Sequence, residues 1–149
     1  MKIKKNIKKI IVGSIIVIIC IIFVYPLSFD QYVRYKDKME IGISNPQVVN
    51  GKTKIDMKTY KYQKDSKEFQ EIVKILDKYK YHCYVKTFLG MTATDGGDEG
   101  YVLISLGNDM IVVSGSGEVL INKRLYHLGF GDNKKAVAMM KEIKSVTNP

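Results

Sequence analysis

The chain is 149 residues long with 24 basic and 15 acidic residues, a formal charge of +9. That length accommodates one folded domain of ordinary size beside a short apolar segment, and excludes two. Lys2, Lys4, Lys5, Lys8 and Lys9 all precede the apolar run, so 19 basic residues face all 15 acids in the remainder, a net of about +4. The excess is scattered and forms no continuous block, which argues against nucleic acid as a partner. Cys20 lies inside the apolar run and Cys83 is alone beyond it, so packing holds the folded part together without a disulfide framework. Ten Tyr and only three Pro mark an ordered chain.

The apolar stretch that opens at Ile10 and closes at Phe29 has twenty uncharged residues, among them eight Ile, three Val and Phe23. As a helix it would cover ~30 Å, the hydrocarbon thickness of a bilayer. Its strongly apolar members favour insertion by about 4 to 7 kcal/mol. A cleaved secretory signal and a lipoprotein signal share the basic start and apolar middle, but each lacks its processing site. Val24-Tyr25-Pro26-Leu27-Ser28 has no small-x-small pattern, and Cys20 follows Ile19 rather than a small residue. The expectation is an uncleaved signal anchor at 10–29 with the lipid bilayer as its partner. Five Lys before the run against Arg34, Lys36 and Lys38 after it place the N-terminal 1–9 in the cytoplasm and the domain, 30–149, outside it. Tyr25, Tyr32 and Tyr35 would stand at the outer interface.

Along the domain, 29–35 and 39–43 alternate like strands, and Asn50-Gly51 turns the chain into a strand at 53–62. Asp65-Ser66-Lys67-Glu68 has the spacing of an acidic N-cap with a Glu three residues on. Phe69, Ile72, Val73, Leu76 and Tyr79 then follow at helical spacing, predicting a helix over 66–79. A strand is predicted over 81–89, with Tyr81, Cys83, Val85, Thr87 and Leu89 toward the core and His82, Tyr84, Lys86 and Phe88 opposite. After a polar connection at 90–100, short β-rich runs at 101–106, 110–114, 118–121 and 124–128 predict an antiparallel meander. Asp132 or Asn133 caps a last helix with Ala136, Met139, Met140, Ile143 and Val146 as its apolar stripe. The fold class expected is α+β: a transmembrane helix followed by a two-layer domain of antiparallel sheet and two packed helices.

The tract running from Tyr101-Val102-Leu103-Ile104-Ser105 to Ile121-Asn122-Lys123-Arg124-Leu125-Tyr126 resembles the small membrane-anchored or lipid-modified extracellular domains of Gram-positive bacteria, a group without an assigned activity. The resemblance covers roughly the last seventy residues. It implies location in the bacterial cell envelope and a strand-rich domain closed by a helix, and it transfers no site residues.

Two sets of side chains invite a chemical reading. Asp95, Asp98 and Glu99, in Thr94-Asp95-Gly96-Gly97-Asp98-Glu99-Gly100, could offer oxygens to a metal such as calcium. The alternative is a solvated turn whose Gly residues permit positive φ. The turn is favoured, because one short acidic cluster seldom fills a shell of six to eight oxygens. Cys83 with His127 could form a thiol dyad, since a catalytic thiolate needs an imidazole within reach. His82 is excluded from that role because neighbouring strand residues point to opposite faces. A buried structural Cys is the favoured reading. Gly51-Lys52-Thr53 lacks the upstream Gly of a phosphate-binding loop. No catalytic or cofactor-binding residue is assigned, and no cofactor is expected.

The function expected is a binding or interaction module at the cell envelope, with an unknown protein or envelope ligand as partner. One alternative is an envelope enzyme using Cys83/His127 or a metal on the acidic loop. The other is a regulatory or immunity-type membrane protein whose span makes the functional contact.

Overall fold

The computed structural model describes residues 2–27, 29, 36–49, 52–91, 100–129 and 133–147. Among them are four helices, α1 (Lys2–Val24), α2 (Lys67–Lys78), α3 (Val85–Phe88) and α4 (Asn133–Thr147). Seven strands, β1 (Lys38–Val49), β2 (Lys52–Gln63), β3 (Tyr81–His82), β4 (Tyr101–Leu106), β5 (Asp109–Ser114), β6 (Glu118–Ile121) and β7 (Arg124–Leu128), form one antiparallel sheet in the order β2-β1-β4-β5-β6-β7-β3. The α+β class and the meander from β4 to β7 match the expectation from sequence.

The alternation of apolar residues fixes the register. Ile41, Ile104, Ile111 and Ile121 stand in one cross-strand row, and Ile43, Val102, Val113, Val119 and Tyr126 in the next. Both rows belong to a single buried cluster, which also holds Phe69, Ile72 and Leu76 of α2 and Ala136, Met139, Met140 and Ile143 of α4. A one-residue slip would carry every member of these rows to the opposite face, so burial and register enforce each other. The turn joining β6 to β7 has Asn122 at φ 47° and Lys123 at φ 69°. Two central residues with positive φ are what a two-residue hairpin needs to match the twist of its strands. Asn122 adds its own ties, donating from Nδ2 to Asp109 Oδ1 at 2.6 Å and accepting the Met110 N–H at 2.9 Å.

Helix α2 starts one residue later than the acidic cap predicts. Ser66, with extended backbone, is the N-cap, and its hydroxyl accepts the Phe69 N–H at 3.2 Å. This register buries Phe69, Ile72, Ile75 and Leu76 on one stripe. Glu142 of α4 ties the two helices, accepting from Lys78 Nζ at 2.6 Å and from the Tyr79 hydroxyl at 3.0 Å.

Two expectations need correcting. The apolar helix ends at Val24 and does not continue to Phe29. Pro26 has no N–H to donate and disfavours helical geometry at Tyr25, so the helix stops just before it. Leu27 then donates its N–H to the Tyr81 carbonyl at 2.8 Å, and Phe29 is 2% exposed, 5.9 Å from the Tyr81 ring in the core. The predicted strand over 81–89 is also only two residues long. It gives way to α3, whose start is fixed by the Thr87 hydroxyl accepting the Tyr84 N–H at 3.0 Å. A threonine three residues along from Tyr84 supplies a local bond that outcompetes strand pairing.

Candidate functional site

Of the sequence-predicted site residues, Cys83 and His127 do not come together. Asp95, Asp98 and Glu99 lie outside the described residues. Cys83 packs against the core cluster, whereas His127 sits between Tyr126 and Leu128, both core members, and so faces the other side of the sheet. Burial pushes the Cys83 thiol up from its ordinary pKa, a rise only partly offset by the nearby Arg124 charge. That is the reverse of the activation a thiol nucleophile requires.

The face opposite the core holds a different constellation. Glu118 pairs with His127 across β6 and β7, and His127 pairs with His82 across β7 and β3, so the three stand in one row. Helix α3 lies over this row. From it Tyr84 donates its hydroxyl to Glu118 Oε1 at 2.7 Å, Lys86 Nζ meets the same oxygen at 2.5 Å, and the Thr87 hydroxyl donates to the Leu125 carbonyl. The Tyr84 ring also meets His127 edge-on, with centroids 5.6 Å apart. Burial raises the Glu118 pKa, but the hydrogen bonds from Lys86 and Tyr84 outweigh it and hold the carboxyl below the usual carboxylate range. The Tyr84 hydroxyl is pushed up, first by burial and then by its bond to that carboxylate. Through Glu118, bonded to both Tyr84 and Lys86, the cluster clamps α3 to the sheet.

Sequence reasoning missed this clamp because it put Tyr84 and Lys86 on a strand. A signal was nonetheless present. Glu118 heads the run Glu-Val-Leu-Ile in a region of buried strands, and a carboxylate there requires a cation or donors.

With Tyr84 and Thr87 turned to the sheet, Val85, Phe88 and Leu89 face outward at 63%, 57% and 70% exposure. They meet the end of α1. The Phe88 and Phe23 rings stand 5.2 Å apart, and an apolar groove of about 350 Å³ is lined by Ile19, Ile22, Phe23, Val85, Phe88 and Leu89. On the far side of the sheet β1 and β2 run on as a two-stranded ribbon, since β4 pairs only with Glu40 to Ile43 while β1 and β2 stay paired up to Val49 and Lys52. Ile55 and Met57 on this ribbon are exposed. No family model, curated protein or solved structure matches the chain.

Proposed function

We propose that this protein is a membrane-anchored interaction module, held at the cell envelope by α1 with its domain outside the cytoplasm. The observation that carries this is the junction between α1 and the domain. Residues Ile7–Val24 have a mean hydropathy of 2.7 with none of them buried, and the chain passes from there straight into the sheet edge through Leu27 and into the core through Phe29. A helix apolar on every side needs a lipid surround, and a connection this short keeps the folded domain at the bilayer surface. The basic N-terminus supports a cytoplasmic start. The cluster shared by the strands, α2 and α4 supports a two-layer domain. The contact surface is assigned to the β1–β2 ribbon, where no other strand among the described residues pairs with the outer edge of β2 and Ile55 and Met57 are exposed. Its Lys54, Lys58 and Lys61 discourage pairing with another copy of the strand.

The test has two parts. The full chain should stay with membranes through alkaline extraction, and protease added outside intact cells should digest the domain. Release by alkali refutes the anchor, and protection of the domain until lysis refutes the orientation. A photo-crosslinker at Ile55 or Met57 should then give a discrete adduct that one at Glu71, on exposed α2 surface, does not.

A further inference from the structure

Helix α3 places three apolar side chains at a particular depth along α1. Ile19 precedes the end of α1 at Val24 by five residues, so the groove shared with Val85, Phe88 and Leu89 reaches ~7 Å back along the helix at 1.5 Å per residue. The uncharged part of α1, Ile10 through Val24, covers only ~22 Å. A bilayer has about 30 Å of hydrocarbon, so this uncharged part is short for its surroundings. A short span is met by thinning of the bilayer and snorkelling of flanking side chains, which leaves little distance between the end of α1 and the acyl chains. The end of α1 therefore lies at or below the hydrocarbon boundary, and the side chains beside Ile19, Ile22 and Phe23 lie there with it. Nothing lets the domain stand off, because Leu27 is bonded to Tyr81 and Phe29 is locked in the core. The Glu118 clamp holds the polar side of α3 against the sheet and leaves the apolar side turned out.

We infer that α3 is a second membrane contact: Val85, Phe88 and Leu89 insert among the acyl chains of the leaflet on the domain's side, fixing the domain's orientation on the bilayer. This rests on the reading of α1 as a membrane span. Lipid is the occupant because the surface is continuous with the exposed apolar side of α1, sits within the depth that α1 spans, and offers only carbon to a partner across the groove.

The chain has no Trp, so one introduced Trp reports its own surroundings. Full-length Phe88→Trp and Leu89→Trp, reconstituted in phosphatidylcholine vesicles, should show blue-shifted emission and lose intensity when the acyl chains carry bromine. Leu89 is 70% exposed, so its replacement tests the contact even if Phe88→Trp fails to fold. Ile16→Trp reports the span, and Ile55→Trp on the ribbon should be unaffected by bromine. Quenching at Ile16→Trp without quenching at positions 88 and 89 overturns the contact and leaves the anchor standing. No quenching at any of the three overturns both. Blue-shifted emission at 88 and 89 that bromine does not reduce, and that reverts as protein is diluted in lipid, assigns the surface to a second copy and overturns the lipid contact.

Discussion

A soluble fragment beginning at Gln31 would be a natural choice for work on the isolated domain, and the structure predicts that it is seriously destabilised. Such a fragment omits Leu27 and Phe29. Phe29 is 2% exposed and packs on Tyr81, which is wholly buried at the sheet edge. An aromatic side chain buries ~150 Å² or more, which at roughly 25 cal/mol per Å² is about 4 kcal/mol. Phe→Ala replacements in cores cost about 3 to 5 kcal/mol, the same range. The Leu27 N–H bond to the Tyr81 carbonyl adds ~1 kcal/mol, and removing it leaves that carbonyl at the edge without this donor. A domain of this size has about 5 to 15 kcal/mol in total, so the loss is about a quarter of its stability at the least. The assay is urea unfolding of fragments starting at Tyr25 and at Gln31, followed by far-ultraviolet circular dichroism, with Phe29→Ala in the longer fragment. The shorter fragment and the Phe29→Ala variant should unfold at clearly lower urea with similar slopes. Coincident midpoints for all three would refute the placement of Phe29 in the core, and with it the direct passage from the apolar helix into the fold.

Glu118→Gln removes the charge that Lys86 and Tyr84 address, and should cost about 1.5 to 3 kcal/mol while making amides in 85–91 exchange faster than those of β5 and β6. Because the folded Glu118 pKa is depressed, its contribution is present above the unfolded carboxyl pKa and disappears as pH falls through the folded one, so acid denaturation of Glu118→Gln should show a shallower pH dependence. Tyrosines titrate in the opposite sense. Tyr79 is pushed up to about 12 by burial and its bond to Glu142, and Tyr81 is raised further by burial, so stability is intact below the unfolded value of 10 and declines as pH rises beyond it. Solvent-exposed tyrosines give a gradual rise in tyrosinate absorbance first, and Tyr81 should add a later cooperative step coincident with unfolding. Complete ionisation of all ten Tyr without unfolding would contradict its burial. Cys83, half-buried with its thiol pushed up, should react with iodoacetamide at neutral pH much more slowly than a free cysteine peptide, and rapid labelling would return the dyad with His127 to consideration.

Most of the β-sheet was legible because its signals are local and mutually consistent. The ranges for β4, β6 and β7 follow from short β-rich runs bounded by Gly, Asn and Ser turns. The 81–89 segment was misread because alternation over nine residues was taken as one strand, while the Thr87 hydroxyl offers the Tyr84 N–H a bond that ends pairing after His82. Without α3 there was no reason to bring Tyr84 and Lys86 to one carboxylate, so the clamp on Glu118 was invisible as well.

The boundary between the apolar helix and the domain failed for a more general reason. Hydropathy measures the preference of a side chain to leave water and is indifferent to whether lipid or protein receives it. Leu27 and Phe29 extend the apolar run as well as any Ile before them, yet Leu27 pairs with β3 and Phe29 packs among core side chains. Pro26 separates the two stretches, by ending the helix before Leu27 and Phe29. Val85, Phe88 and Leu89 pose the same question from the other side, since a strand alternation assigns some of them to a core while the fold leaves all three outward beside α1. Apolarity at both places is encoded in the chain, whereas the backbone path that directs it turns on Pro26 at one place and Thr87 at the other, neither of which stands out in a hydrophobic pattern.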